Sequence, residues 1–170
     1  MKKNDIVEIT IEDMSDEGLG IGHAEGMALF VKDAVVGDRV RAKAVKVKKN
    51  YAYGRLEELI EPSPFRVNPV CDNSRRCGGC SLMHMSYERQ LQYKWDKVKN
   101  CLERIGGVKN AHELMEKISG MDNPYNYRNK MQFPVGLNKD GKVQIGFYAG
   151  RTHSIIDLKS CAIGHPVNDY

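Results

Sequence analysis

The stretch Arg39-Val-Arg-Ala-Lys-Ala-Val-Lys-Val-Lys48 decides how the first third of the chain folds. Val40, Ala42 and Ala44 occupy even positions, whereas Val45 and Val47 occupy odd ones, so the apolar alternation slips once. Side chains in a strand point alternately to opposite faces, and a one-residue slip therefore exchanges the buried and the exposed set. The pattern predicts a β-bulge or bend near Ala44 and Val45, the device by which small barrels turn a corner.

The neighbouring segments agree. In residues 5–12, Val7, Ile9 and Ile11 alternate with Glu8, Thr10 and Glu12, and residues 27–32 and 51–59 are further short runs bounded by turn formers. Short strands without a long helix predict a small antiparallel barrel of the oligonucleotide-binding kind. Gly18, Gly20 and Gly22 read as corner glycines rather than a nucleotide loop, because a strand and not a helix follows them. Glu61-Pro-Ser-Pro64 ends the barrel, since proline lacks the ladder donor, and divides the chain into residues 1–61 and 62–170.

Beyond that boundary, Tyr87, Leu91, Trp95, Val98, Leu102 and Ile105 recur at helical spacing, with Ser86 as N-cap and Gly106 as the stop. Residues 130–137 and 142–148 flank Asp140-Gly141 and predict a hairpin. A further strand at residues 154–158 runs into Cys161. The fold class is thus mainly β, with an α+β second part. The chain stops at Asp169-Tyr170 without a closing element, as a piece of a longer protein would.

With 170 residues, a formal charge of +4 and a pI near 8.7, the chain is mildly basic, and only clustering of its basic residues would mark a nucleic-acid partner. No stretch approaches the roughly 18 apolar residues of a membrane span, and a cytoplasmic location is expected. Five cysteines suit no disulfide framework, and three lie within ten residues, which points to metal or redox chemistry.

Cys71, Cys77 and Cys80 are spaced so that Gly78-Gly79 lets the flanking thiolates face one centre. A four-thiolate iron–sulfur cluster needs a fourth ligand, which Cys161 can supply from a distance. Zinc on the same three thiolates plus His84 satisfies the spacing equally well, and a redox use of Cys77-Gly-Gly-Cys80 lacks the βαβ surroundings it needs. Cys101, beside Leu102 on the helical stripe, reads as a small buried hydrophobe. Arg75 and Arg76 could balance anionic thiolates or face RNA or solvent.

Arg39, Arg41, Lys43, Lys46, Lys48, Lys49 and Arg55 cluster with Tyr51 and Tyr53, phosphate partners interleaved with rings that can stack on bases. The same lysines could merely guard a solvated strand edge. Arg128 and Lys130 form a second basic point, able to grip RNA backbone or to pair with a carboxylate such as Asp122.

The order Cys71-x5-Cys77-Gly-Gly-Cys80, Tyr127-Arg-Asn-Lys130, Gly146-Phe-Tyr148 and Ile155-Ile-Asp-Leu158-x-x-Cys161 resembles that of the RNA (uracil-5-)-methyltransferases. Glu17-Gly-Leu-Gly-Ile-Gly22, Phe30-Val31 and Val36-Gly-Asp38 resemble the TRAM domain that precedes the cysteine motif in that family. The resemblance implies a four-iron, four-sulfur cluster on Cys71, Cys77, Cys80 and Cys161. It implies an RNA-binding barrel using Arg39, Arg41, Lys43, Lys46, Lys48, Tyr51 and Tyr53, with Arg128 and Lys130 nearby. Its partner would be ribosomal RNA of the 23S type, or else transfer RNA, with no membrane and no protein partner.

In the family reaction a catalytic cysteine adds to carbon 6 of uridine, and carbon 5 then takes a methyl group from S-adenosylmethionine. None of the five cysteines here reads as that nucleophile, and no strand–glycine loop–helix unit for the methyl donor is present. The resemblance assigns both to a C-terminal domain outside this sequence, so this chain alone is expected to be inactive. The other function class left open is a stand-alone RNA-binding or redox-sensing metalloprotein.

Overall fold

The computed structural model describes residues 1–169; Tyr170 lies outside the described residues. The chain packs into two compact units, one of residues 1–67 and 84–120, the other of residues 68–83 and 121–170. The division is not a single cut at residue 61. The last barrel strand does end there, but the following segment is held to the first unit by Arg66, and a helix returns to that unit after His84.

The first unit is built on strands β1 (Ile6–Thr10), β2 (Asp13–Met14), β3 (Gly20–Ala24), β4 (Met27–Lys32), β5 (Arg39–Val47) and β6 (Tyr51–Glu61). They form one sheet in the order β1-β5-β6-β4-β3-β2. All pairs are antiparallel except β4 with β6, which is parallel because the β5–β6 hairpin folds back and lays β6 beside β4. The expected bulge is present: between Ala44 and Lys46 the β5–β6 register shifts and Val45 has no opposite residue. Ala44 therefore points inward and Val45 is exposed.

Leu29, Val31, Val40, Ala42 and Ala52 are completely buried and meet Ile9 and Ile11 in the barrel interior. The ends of the sheet approach each other where Glu12 N–H donates to Ile21 O (2.8 Å). Gly22 sits at this seam; a β-carbon there would lie 2.5 Å from Thr10 O, so close strand approach explains the glycine and a phosphate loop is not needed.

Helix α1 (Tyr87–Arg104) starts at Ser86, whose hydroxyl accepts from Arg89 N–H, and ends at Ile105, with the left-handed residue at Gly107 rather than Gly106. It is held to the barrel by polar reach: Tyr93 donates its hydroxyl to Ser15 O (2.8 Å) and Lys97 its ammonium to Asp16 O (3.3 Å). Leu91 and Trp95 lie under the segment around helix α2 (Ala111–Leu114), with Trp95 N–H donating to Glu116 O (3.1 Å). Val98, Leu102, Ile105 and Cys101 are exposed, so the expectation of Cys101 as a buried helix hydrophobe is wrong. The last helical turns thus leave an apolar stripe exposed beside the thiol.

The second unit contains a three-stranded antiparallel sheet of β7 (Val135–Leu137), β8 (Val143–Tyr148) and β9 (Ile155–Asp157). The β7–β8 turn is organised by Asn138, whose side chain accepts from Asp140 and Lys142 N–H (2.9 Å each). No helix among the described residues is long and apolar enough to cross a membrane.

Candidate functional site

The cysteine loop coils on itself in the second unit. Ser74 N–H donates to Cys71 O (3.0 Å) and Cys77 N–H to Asn73 O (2.8 Å), a helical type of turn that brings Cys71 and Cys77 to one side. Cys161 is placed by a separate ladder: Asn126 N–H donates to Ala162 O (3.0 Å), Arg128 N–H to Ile163 O (2.9 Å) and His165 N–H to Arg128 O (3.2 Å). The outcome is a cavity lined by Cys71, Cys77, Cys80 and Cys161 together. Met83, Phe147, Leu158 and Ile163 close it with apolar surface, and Arg128 is the cation at its wall.

None of the four cysteines is joined in a disulfide. Burial, and then the neighbouring Cys161, Cys77 and Cys71, push the Cys80 thiol up to about 11, and Arg128 alone pulls the other way. An unliganded Cys80 is therefore a neutral thiol at pH 7, and a bound cation would be needed to hold it as thiolate. Gly79 N–H already donates to Cys77 Sγ (3.4 Å), the kind of contact that stabilises charge on sulfur. These four thiols are the donor set that could hold a metal or cluster. Among the described residues no group of three or more His, Cys, Asp or Glu side chains is arranged so that it could hold a metal ion.

Other expected participants fall elsewhere. His84 is absent from the cavity lining; it is buried in the first unit beside Asp33, Ala34, Asp38 and Arg66, with no hydrogen-bond partner for Nε2 among the described residues and its basicity lowered by burial. Arg75 and Arg76 are exposed, and Arg128 is the basic residue that lines the cavity. Lys130 is exposed.

On the barrel, Tyr51 and Tyr53 project from one face of β6, where Phe30 of β4 joins them. The three ring centroids are 5.7–5.8 Å apart, two of the pairs edge to face. Lys46 lies opposite Tyr53, with Lys48 beyond it. The basic residues divide in two. Arg39 bonds Glu8 and Glu61, which raise its already high pKa, and Arg41 bonds Glu58 (2.6 Å). Lys43, Lys46 and Lys48 have no carboxylate partner among the described residues. Phe30 was legible only as a core strand residue, because its place beside the tyrosines depends on the parallel β4–β6 register.

A buried pair also escaped sequence reading. Asp38 is fully buried and accepts from Val35 N–H (2.6 Å), Ser63 N–H (2.8 Å) and the Arg66 guanidinium. Arg66 also donates to Asp33 O (2.8 Å), so this carboxylate fastens the segment after β6 onto the barrel just before the cysteine loop departs.

Residues 2–56 match the TRAM domain family. Over 163 residues, 96% of this chain, the sequence is 50% identical to a Clostridium tetani protein named "uncharacterized RNA methyltransferase". It is 47% identical over 99% of its length to a similarly named protein of Halalkalibacterium halodurans. The chain spans only 35–36% of the length of these curated relatives. Among solved structures, the tRNA (uracil-54, C5)-methyltransferase of Pyrococcus abyssi, in complex with S-adenosyl-L-homocysteine, superposes on 94% of this chain and 33% of its own, with a TM-score of 0.53 and 24% identity. That likeness is one of fold. By its barrel and by similarity along nearly its whole length, the chain is a TRAM-containing relative of proteins named RNA methyltransferases.

Proposed function

We propose that the chain is the RNA-recognition and cluster-bearing portion of a cytoplasmic, S-adenosylmethionine-dependent RNA (uracil-5-)-methyltransferase, with 23S ribosomal RNA as substrate. The observation that carries the cluster part of this reading is the shared cavity of Cys71, Cys77, Cys80 and Cys161. A single tetrahedral zinc draws its thiolates to about 2.3 Å from one point. A four-iron cluster is held by four cysteine thiolates, and four cysteines line this one cavity. The apolar wall, Arg128 and the Gly79 N–H suit an anionic group of this kind.

When bound, the cluster would supply a covalent tie between the 71–80 loop and the Cys161 segment. The chain's own residues would do the recognition: Lys43, Lys46 and Lys48 meet phosphates while Phe30, Tyr51 and Tyr53 offer faces for unpaired bases. The catalytic cysteine and the methyl-donor site would belong to the part of such an enzyme that this chain does not span. The target nucleotide of the Pyrococcus neighbour is that protein's own; the ribosomal substrate is inferred from the cysteine motif.

Anaerobic reconstitution with iron and sulfide, followed by absorption spectra and iron counting on the wild type, Cys161→Ser and Cys101→Ser, tests the reading. Uptake by the wild type and by Cys101→Ser, and failure of Cys161→Ser, is the expected pattern. A wild type that takes up no iron contradicts it.

A further inference from the structure

Beside the cysteine loop the second unit presents a basic and aromatic rim that the cluster reading leaves unused. Two chain segments are stitched together there. Cys77 forms an antiparallel bridge with Ala149, Gly78 N–H donates to Tyr148 O (3.0 Å), and Gly150 N–H donates to Arg76 O (3.3 Å). The approach is close enough that a β-carbon on Gly78 would stand 3.1 Å from Tyr148 O and 3.2 Å from Gly150 Cα. Cys77 turns inward, and its neighbours Arg75 and Arg76 turn out.

On the other segment Tyr148, Arg151 and His153 are all exposed, and the Tyr148 and His153 rings lie 5.3 Å apart at 46°. Arg151 caps the turn between β8 and β9 in a left-handed conformation, φ 62°, which glycine or asparagine would adopt more readily. The turn is fixed around it: Ala149 N–H donates to Ser154 O (2.8 Å), and the Thr152 hydroxyl donates to Ala149 O (3.1 Å). No Asp or Glu interrupts residues 75–80 or 148–154.

We infer that this rim is a second contact for single-stranded RNA, with Arg76 and Arg151 taking phosphates and the Tyr148–His153 pair stacking on a base. The inference rests on the RNA reading above and extends it to a surface separate from the barrel face. Guanidinium groups suit phosphate oxygens bidentately, and flat exposed rings suit unpaired bases rather than a duplex.

The test is the binding of a labelled short oligouridine to the full chain, as a function of salt, for the wild type and five variants. Arg76→Gln combined with Arg151→Gly should weaken binding about tenfold and reduce the slope of log K against log salt by about 1.4, since each lost contact with a single strand is worth about 0.7. Arg151→Gly removes the charge while making the turn easier to form, so loss of fold does not explain its effect. Arg151→Lys should keep the wild-type salt slope, because the charge that meets the phosphate is retained, while binding falls less than in Arg151→Gly because only the bidentate geometry is lost. Tyr148→Leu should weaken binding with an unchanged salt slope, the mark of lost stacking.

Lys46→Gln, a barrel variant, separates the two readings. If it weakens binding while the arginine variants bind as wild type, the rim is not a contact and the barrel reading stands. If the wild type binds no oligouridine, or binds polyglutamate as well as RNA, both fall.

Discussion

The two units solve the problem of a small core differently. In the first, completely buried Leu29, Val31, Val40, Ala42 and Ala52 fill the interior of a sheet whose ends meet. In the second, short strands cover little more than Ile156, Leu158 and Ile163, beside a cavity lined by four cysteines of which Cys77 is buried and the other three half-buried. Units this small seldom hold together on apolar burial alone, and a bound metal is one of the usual staples. On the proposed reading the barrel carries its own stability, whereas the second unit would depend on what its thiols bind.

The largest effect that could break this contrast comes from Cys161→Ser. It should remove the tie and abolish cooperative unfolding of the second unit, a loss on the order of 10 kcal/mol if the site resembles structural zinc sites. Limited proteolysis should then cut within residues 68–83 and 121–169 and spare the barrel; cleavage spread over both units would contradict the division.

Asp38→Ala probes the barrel side. It strands the Arg66 guanidinium and the Val35 and Ser63 N–H groups, and breaking such a buried pair costs about 3–5 kcal/mol. The urea midpoint of the first unit should fall accordingly, while iron uptake by the second is unchanged.

A smaller effect sharpens the functional contrast within the barrel. Tyr53→Ala should cost about 1–3 kcal/mol of RNA affinity through lost stacking, and Lys46→Gln should lower the salt slope by about 0.7. Arg41→Gln should change it less, because Glu58 already offsets that charge. Equal effects of Lys46 and Arg41 would show that the ion pairs open on binding.

The smallest expected effect is a pH dependence from His84. Burial holds its folded pKa below the ordinary 6.5, so the stability that comes with its neutral form is complete above that value and is lost as pH falls from there through the folded pKa. Urea midpoints for the first unit should decline below about pH 6.5, and His84→Leu should flatten that decline. An unchanged slope in the variant would assign the acid sensitivity to other groups.

What could be read in advance follows from range. The bulge at Val45, the Tyr87 start of α1 and the turn at Asp140-Gly141 are local signals, each written in adjacent residues. Cys161 could be named in advance as a distant fourth thiol for the 71–80 loop, but spacing alone left zinc with His84 equally open and only the resemblance chose between them. The latching of Arg39 by Glu8 and Glu61, the Asp38–Arg66 pair and the placement of Phe30 among the tyrosines depend on register and on partners far along the chain. Helical spacing likewise showed which residues of α1 share a stripe but not whether anything would cover Val98, Leu102 and Ile105.

Hydrogen exchange read by mass spectrometry, on anaerobically reconstituted protein and on the same protein after chelation, tests the contrast most directly. Removing iron should abolish protection in residues 68–83 and 121–169 and leave residues 1–67 and 84–120 as they were. Protection in the second unit that survives chelation, or loss across both units together, would contradict the dependence of one unit alone on its cysteine site.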